Sequence, residues 1–215
     1  MPAHPEGVQA PLAGVVLAGG RSRRLGRNKA FLPFGGRPLL HIVCERVARV
    51  CPQVVVAASA RGMRGEAPAG VEVARDEKPG QGPLAGMQTG LRAAAFDYAL
   101  VVACDMPFLS PSLLQYMADL PRDYQALVPE WQGRRHPLHA IYSRTCLPLI
   151  DALLQEGRRS VEELLVRVSV RLLPEGEIRP WDAAGLSLFN LNDAQDLEEA
   201  QRRWAFESTP PSASY

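Results

Sequence analysis

The sequence lacks both an excess of charge of one sign and any long apolar run. Its 24 Lys and Arg residues nearly balance 23 Asp and Glu residues, for a net charge of +1. This balance predicts no general attraction to nucleic acid or to an anionic membrane surface. No apolar stretch approaches the ~18 residues that span a bilayer. Residues 1–6 have neither a basic region nor an apolar core, so we expect no secretory signal either.

Cysteine is also scarce, with four scattered residues and no Cys-x-x-Cys pair. Such spacing is not typical of a zinc site. Three of the four residues lie in apolar surroundings, which favours buried free thiols over disulfides or metal ligands. Free thiols are typical of a reducing compartment, so we expect a cytoplasmic protein.

Short apolar runs alternate with helical patterns through the middle of the chain. The predicted strands are Gly14–Ala18, Val54–Ala58, Val71–Ala74, Tyr98–Cys104, Gln125–Pro129 and Pro137–Tyr142. The predicted helices are Pro38–Val50, Pro83–Phe96, one that opens at Ser110-Pro111, Thr145–Glu156, Ser160–Val168 and Asp193–Phe206. This alternation predicts an α/β fold: a doubly wound, mostly parallel sheet with helices on both faces, in a three-layer sandwich. We expect one domain over residues 14–206, with flexible tails at 1–13 and 207–215.

The segment that follows the first strand combines glycines with a cluster of positive charge. It contains Gly19, Gly20, Arg21, Arg23, Arg24, Arg27 and Lys29. Neither G-x-G-x-x-G nor the phosphate-loop pattern ending in Gly-Lys-Ser/Thr occurs in the chain. Glycines nevertheless let backbone N–H groups approach phosphate oxygens, and Arg and Lys bind phosphate by charge. We predict a phosphate-binding loop, and the alternative is a tight turn followed by a solvated basic loop.

An aspartate stands at the end of the fourth predicted strand. Asp105 follows four apolar or small residues, and ligands bind at the carboxyl ends of parallel strands. Mg²⁺ binds through one or two carboxylates when the substrate brings phosphates. We therefore predict that Asp105 binds Mg²⁺, with a role in a turn before Met106 as the alternative. Asp76 ends the third strand, where it either contacts the sugar or base of a nucleotide or caps a loop.

Three further segments are candidates for binding. Pro83, Leu84, Ala85 and Gly86 open a helix whose N-terminus can approach a base or a phosphate. Arg135 and His136 lie at a turn that either holds an anionic second substrate or is simply exposed. Asn190 and Asn192 precede the last helix, which either Asn192 or Asp193 caps. Asn190 is expected on the same strand face as Asn192, within reach of metal or phosphate if this segment runs beside Asp105.

These motifs, in order, resemble the molybdenum cofactor guanylyltransferase family (MobA) over roughly residues 14–206. The resemblance rests on Leu17-Ala18-Gly19-Gly20-x-Ser22-x-Arg24-Leu25-Gly26-x-Asn28-Lys29, Gly82-Pro83-Leu84-Ala85-Gly86, Cys104-Asp105-Met106-Pro107, His136-Pro137 and Asn190-Leu191-Asn192. It implies transfer of GMP from GTP to molybdenum-bound molybdopterin, with Mg²⁺ and release of pyrophosphate.

The resemblance also implies roles for residues. It places GTP against Leu17, Ala18, Gly19, Gly20, Lys29, Asp76 and Asp105. Arg24, Lys29 and Asp105 would act in catalysis, and Asn190 and Asn192 would lie near the phosphate or the pterin. Molybdenum-insertion proteins and molybdoenzyme chaperones are the expected protein partners.

Two positions depart from the family pattern. Members often have Asn after the second strand, where this chain has Ala57, and often Asp before the loop lysine, where it has Asn28. Three alternative functions are a cytidylyltransferase of the same cofactor pathway, a sugar-1-phosphate nucleotidyltransferase, and a nucleotide- or pterin-binding module without catalysis. Gly19-Gly20 and Pro83–Gly86 favour the guanylyl type.

Overall fold

A computed structural model describes residues 9–18, 29–59, 67–76 and 82–208 of the chain. The strands are β1 (Ala13–Leu17), β2 (Pro33–Phe34), β3 (Arg37–Pro38), β4 (Gln53–Ser59), β5 (Glu72–Asp76), β6 (Tyr98–Ala103), β7 (Ala126–Trp131), β8 (Arg134–Arg135), β9 (His139–Ser143) and β10 (Val170–Leu173). The α-helices are α1 (Leu39–Ala48), α2 (Pro83–Ala93), α3 (Pro111–Asp119), α4 (Leu147–Gln155), α5 (Val161–Leu165), α6 (Glu175–Ile178) and α7 (Ala194–Ser208). Single 3-10 turns form at Lys29–Phe31, Arg144–Cys146 and Leu186–Leu188.

The main sheet has the strand order β10-β7-β9-β6-β1-β4-β5, with β8 paired to β7. The β10–β7, β6–β1, β1–β4 and β4–β5 pairs are parallel, whereas β9 runs antiparallel to both of its neighbours. The predicted doubly wound and mostly parallel sheet is confirmed. Strands β2 and β3 form a separate small hairpin ahead of α1.

Alternate residues of each central strand enter different cores, because successive side chains point to opposite faces of a sheet. Val16 and Val102 pack with α1 and α3 on one face. Val15 and Val101 pack with α2, α4 and α5 on the other. A third cluster joins the β2–β3 hairpin, α1 and α7 through Phe34, Leu39, Ile42, Phe108, Leu191 and Ala200. The sheet therefore lies between two helical layers.

Two glycines let helices approach β1 closely from both faces. A Cβ atom at Gly14 would lie 2.2 Å from Val47 Cγ1 of α1. A Cβ atom at Gly90 of α2 would lie 2.2 Å from Val15 Cγ1. Both distances are far below van der Waals contact, so a larger residue at either position would push a helix away from the strand.

Helix capping follows the sequence signals, with two refinements. Ser110 caps α3 by accepting the N–H of Leu113 at 3.3 Å, as predicted. Asp193 Oδ1 accepts the N–H groups of Gln195 and Asp196, both at 3.0 Å, so the cap of α7 is Asp193 and not Asn192. Ser160 caps α5 through Glu162 N–H. No described helix is long and apolar enough to cross a membrane.

Candidate functional site

The carboxyl ends of the three central parallel strands meet at one edge of the sheet. Ala18 N–H donates to the carbonyl of Ala57 at 2.9 Å, and Cys104 N–H donates to the carbonyl of Leu17 at 3.2 Å. These two hydrogen bonds join the carboxyl ends of β4, β1 and β6. Ala18 and Cys104 are the first residues after β1 and β6, respectively. Asp105 follows Cys104, so it lies at the edge where open parallel sheets bind their ligands.

Asp105 and Lys29 form an ion pair at this edge. Lys29 Nζ lies 2.7 Å from Asp105 Oδ2, and the two side chains are 19% and 15% exposed, respectively. Lys29 opens a 3-10 turn whose next residue, Ala30, is fully buried, and this anchors the lysine backbone. The other carboxylate oxygen, Asp105 Oδ1, is buried and has no hydrogen-bond partner among the described residues. A cation beside Oδ1 would satisfy it, as the metal prediction requires.

Part of the predicted site lies outside the described residues. Residues 19–28 are not described, so the structure is silent on Gly19, Gly20 and Arg24. Asp76 is the last residue of β5, so its backbone lies at the same edge of the sheet as Asp105. The side chain of Asp76 is not described. The phosphate-loop prediction and the Asp76 prediction therefore stay predictions.

The N-terminus of α2 comes to the same edge after β5. Its cap residue, Gly82, has φ +81 and offers no side-chain hydrogen bond. Since Gly82 does not cap the helix with a side chain, the N–H groups of the first turn and the positive end of the helix dipole can face a ligand. A Cβ atom at Gly86 would lie 3.5 Å from Leu17 Cδ2, so this turn packs directly on the end of β1. Pro83–Gly86 and Leu17 are close neighbours, as a shared nucleotide site requires.

Residues Asn190 to Asn192 run beside Asp105, although they do not form the expected strand. Leu191 N–H donates to the backbone carbonyl of Asp105 at 2.9 Å, and the Leu191 side chain is fully buried. The segment is irregular and lies between the 3-10 turn Leu186–Leu188 and α7. The prediction that Asn190 and Asn192 lie on one face of a strand was wrong. The backbone hydrogen bond of Leu191, and not strand pairing, holds this segment beside Asp105. The segment nevertheless runs beside Asp105, as the predicted reach of Asn190 to metal or phosphate requires.

The turn before β9 brings His136 near the end of β6. Ala103 N–H donates to the carbonyl of Leu138 at 3.0 Å, and His136 N–H donates to the carbonyl of Pro129. Burial and the neighbouring Arg134 lower the pKa of His136, so the ring is neutral near pH 7. Arg135 is exposed, with Glu162 Oε2 at 3.8 Å from its guanidinium. This distance leaves Arg135 available to an anion.

Ala57 is a core residue. It lies inside β4, pairs with Leu17 and Ala74, and is 2% exposed in the cluster with Leu84 and Met87. The strand continues to Ser59, so the residue that follows it belongs to residues 60–66, outside the described part.

Two polar residues beside the site were missed in the sequence. His139 and Ser187 are both fully buried, and His139 Nε2 lies 2.7 Å from Ser187 Oγ. The available signal was a single polar residue inside each of two apolar runs, Leu138–Tyr142 and Leu186–Phe189. The sequence does not show that these two runs meet.

The expected free thiols are confirmed, since Cys44, Cys51, Cys104 and Cys146 are all buried and unpaired in disulfides. Among residues 9–18, 29–59, 67–76 and 82–208, no three His, Cys, Asp or Glu side chains converge as a metal cluster. In this part of the chain, a cation at Asp105 would thus have fewer than three such ligands and would need further ligands from a substrate or from water.

Known proteins are similar to this chain in sequence. Residues 14–169 match the model of the MobA-like NTP transferase domain. The molybdenum cofactor guanylyltransferase of Desulfosudis oleivorans is 33% identical over 88% of this chain and 94% of its own. The probable molybdenum cofactor guanylyltransferase of Pelotomaculum thermopropionicum is 35% identical over 87% and 91%.

A solved structure shows the same fold. Molybdopterin-guanine dinucleotide biosynthesis protein A from Archaeoglobus fulgidus superposes with a TM-score of 0.77. It is 28% identical, and the match covers 90% of this chain and 99% of that one. This chain therefore belongs to the MobA-like NTP transferase family, among the molybdenum cofactor guanylyltransferases, as the domain match, the relatives and the shared fold show.

Proposed function

We propose that this protein transfers GMP from GTP to the terminal phosphate of molybdenum-bound molybdopterin, giving molybdopterin guanine dinucleotide and pyrophosphate. The observation that carries the proposal is the Lys29–Asp105 ion pair, with Asp105 Oδ1 buried and unpartnered, at the carboxyl edge of the sheet. Relatives that are 33% to 35% identical bear the name of this activity. The four buried free thiols support a cytoplasmic location for it.

The reaction requires no general base from the protein. A phosphate monoester has a second pKa near ~6, so the pterin phosphate is already an anionic nucleophile at neutral pH. One of its oxygens forms a bond to the α-phosphorus of GTP, and the bond from that phosphorus to the bridging oxygen of pyrophosphate breaks. Catalysis then depends on positioning and on neutralising the charge of the phosphates.

The described residues fit these tasks. Asp105 would hold the divalent metal, Mg²⁺ in this proposal, which supplies positive charge to the phosphates when it is bound. Lys29 reaches the same place and adds a point charge for the triphosphate. The uncapped first turn of α2 offers N–H donors to the nucleotide. Arg24, Gly19 and Gly20 complete the phosphate loop in this proposal, and Asp76 contacts the nucleotide.

The second substrate would bind on the other side of Asp105. Asn190 and Asn192 flank Leu191, which is bonded to the Asp105 carbonyl. Arg135 ends β8, and His136 follows it just before the turn whose Leu138 carbonyl accepts Ala103 N–H. A neutral imidazole, two amides and an exposed guanidinium suit a polar, phosphate-bearing ligand. Proteins that insert molybdenum or receive the finished cofactor would approach this face.

A pyrophosphate-release assay tests the proposal. The purified protein is given GTP, CTP or ATP, each with Mg²⁺ and with or without molybdopterin, and both products are measured. We expect pyrophosphate and an equal amount of the guanine dinucleotide only with GTP and molybdopterin together. If only CTP gives pyrophosphate with molybdopterin, the protein is a cytidylyltransferase. If no nucleotide gives pyrophosphate, the proposed enzymatic activity is refuted.

Asp105→Asn tests the metal site in the same assay. It keeps the shape of the side chain but removes the charge that binds a cation, so we expect turnover to fall by about 10²–10³. Asp123→Asn, an exposed aspartate before β7, is the matched control and should retain wild-type turnover. Wild-type turnover in a folded Asp105→Asn protein would refute the metal role.

A further inference from the structure

A buried hydrogen-bond network joins β9 to the loop that precedes the asparagines. His139 and Ser187 are each 0% exposed, and burial of polar groups is costly unless they are hydrogen bonded. Among the described residues, His139 Nδ1 has no hydrogen-bond partner, so Nε2 makes the side-chain contact of the ring. Ser187 Oγ contacts His139 Nε2 at 2.7 Å and accepts the N–H of Ser110 at 2.9 Å. One hydroxyl thus links the first residue of β9 to the cap of α3.

The backbone around Ser187 is held as firmly as its side chain. Asp182 Oδ1 accepts Leu186 N–H at 3.0 Å, and Asp182 Oδ2 accepts Ser187 N–H at 2.7 Å. Gly185 has φ +65, and a Cβ atom there would lie 2.4 Å from Trp131 Cε2. These contacts fix the turn from Asp182 to Ser187 against β7 and α3.

Four residues after Ser187 the chain reaches the site. Leu191 N–H bonds to the carbonyl of Asp105, and Asn190 stands between the two anchors. The hydrogen bonds donated by the asparagine side chains are long and local, 3.3 Å from Asn190 Nδ2 to the carbonyl of Leu188 and 3.3 Å from Asn192 Nδ2 to the carbonyl of Asn190. Asn190 is therefore placed by the anchors at Ser187 and Leu191 on either side. Asn192 follows Leu191, and its N–H donates to Asp196 Oδ2 at 2.7 Å.

We propose that His139 and Ser187 are positioning residues, which fix residues 188–192 so that Asn190 and Asn192 meet the substrates beside Asp105. This inference rests on the proposed function for its kinetic consequence, but the positioning itself is a property of the chain. A displacement of about 1 Å in a catalytic group can cost up to ~10² in rate. Ser187 also has a structural task, because its Oγ accepts the Ser110 N–H at the cap of α3. The contact with His139 Nε2 adds the link between this turn and β9.

The state of His139 supports a permanent contact. Burial lowers the pKa of His139 to about 4, so the ring stays neutral at the pH of the cell. A neutral imidazole accepts the Ser187 hydroxyl proton at Nε2 or donates its own to the same oxygen, and either arrangement keeps the hydrogen bond. The link is thus independent of pH in the working range.

Three variants test the inference: Ser187→Ala, His139→Phe and His139→Gln. We expect Ser187→Ala to lower kcat by about 10–100-fold and His139→Phe by about tenfold, with the GTP dissociation constant within about twofold of wild type. His139→Gln can still reach Ser187 through its amide and should restore kcat to within about threefold. The matched control is Ser143→Ala, a buried serine at the far end of β9 that accepts Thr145 N–H at 3.2 Å.

Hydrogen exchange provides a readout that does not depend on activity. We expect peptides over residues 188–192 to exchange at least about tenfold faster in Ser187→Ala and His139→Phe, because the Leu191 N–H bond opens more often. Ser143→Ala should not change these peptides. If Ser187→Ala does not fold, the His139→Phe and His139→Gln pair carries both measurements.

The outcomes separate the two proposals. Unchanged exchange in residues 188–192 would overturn the positioning role, whether or not the wild type is active. Faster exchange with wild-type kcat would likewise overturn it, because the network would then only stabilise the fold. A wild-type protein without GTP turnover would refute the proposed function alone, with the exchange results still deciding the positioning.

Discussion

At the scale of single residues, Lys29 and Asp105 form an ion pair at the carboxyl edge of the sheet. Their 2.7 Å contact satisfies one carboxylate oxygen and leaves the other free. A metal ion and the lysine therefore compete for the same carboxylate until a triphosphate gives the lysine another anion. This competition predicts that metal alone binds weakly and that metal and nucleotide favour each other's binding.

Lys29→Met measures this competition. Methionine keeps the length of the side chain but leaves Asp105 without its partner, and loss of one partner from a mostly buried pair is costly. We expect the variant to lose about 1–3 kcal/mol of unfolding free energy, the cost of leaving a buried acceptor unsatisfied. We also expect it to bind Mn²⁺ without nucleotide several-fold more tightly and GTP about tenfold more weakly than wild type.

Thermal unfolding with and without Mn²⁺, together with nucleotide titration, checks both effects. The control is Arg92→Met, which breaks an ion pair with Asp151 in which the arginine side chain is 57% exposed. Exposed pairs contribute little, so its stability should stay near that of wild type. Weaker Mn²⁺ binding in Lys29→Met would contradict the competition.

At the scale of elements, the central strands could be predicted because each is a short apolar run. Tyr98–Ala103 differs from its predicted range by one residue, and the helices that carry amphipathic patterns were also found. The strand β10 was missed because Val170–Leu173 is short and contains the charged Arg171. It also closely follows the predicted helix Ser160–Val168, which ends earlier in the structure, at Leu165. The β2–β3 hairpin was missed because two-residue strands leave no period to detect.

The position of Asp105 just after a strand could be predicted from the buried run before it, whereas the roles of Asp105 and Lys29 stay predictions. Asp105 and Lys29 were identified separately, but their contact joins positions 76 residues apart. The same limit applies to His139 and Ser187, which are 48 residues apart. Local periodicity indicates which element a residue belongs to, whereas the meeting of two distant runs depends on strand order and loop path.

The contact between α2 and β1 is an element-scale feature that a single methyl group tests. Gly90→Ala places a Cβ atom 2.2 Å from Val15 Cγ1, and both residues are held in a packed core. Overpacking of this kind costs about 1–3 kcal/mol, and we expect the loss to outweigh the gain in helix propensity. Because α2 also carries Pro83–Gly86, we expect weaker GTP binding as the helix shifts away.

Denaturant unfolding and GTP titration check this effect. Gly176→Ala in α6 is the control, since a Cβ atom there meets nothing within 4 Å. Alanine in a helix without a clash should leave stability unchanged or raise it slightly. A Gly90→Ala protein as stable as wild type would show that α2 moves on the sheet without cost.

At the scale of the whole molecule, the two helical layers share one sheet. Cys44, Cys51 and Cys104 lie in the core on one face, and Cys146 lies in the core on the other. Burial raises the pKa of Cys44 and Cys51 to about 12 and that of Cys146 to about 11, so none forms a thiolate readily in the folded state. Each thiol therefore becomes reactive when its own layer opens.

Thiol labelling in native buffer tests whether the two layers unfold together. Because both cores are built on the same strands, we expect all four cysteines to label with the same free energy of opening, equal to that of global unfolding. Labelling followed by mass spectrometry of the peptides gives the value for each cysteine, and labelling in denaturant gives the unprotected rate. Earlier reaction of Cys146 would show that α4 and α5 leave the sheet as a separate unit, and the sandwich would then have two independent stabilities.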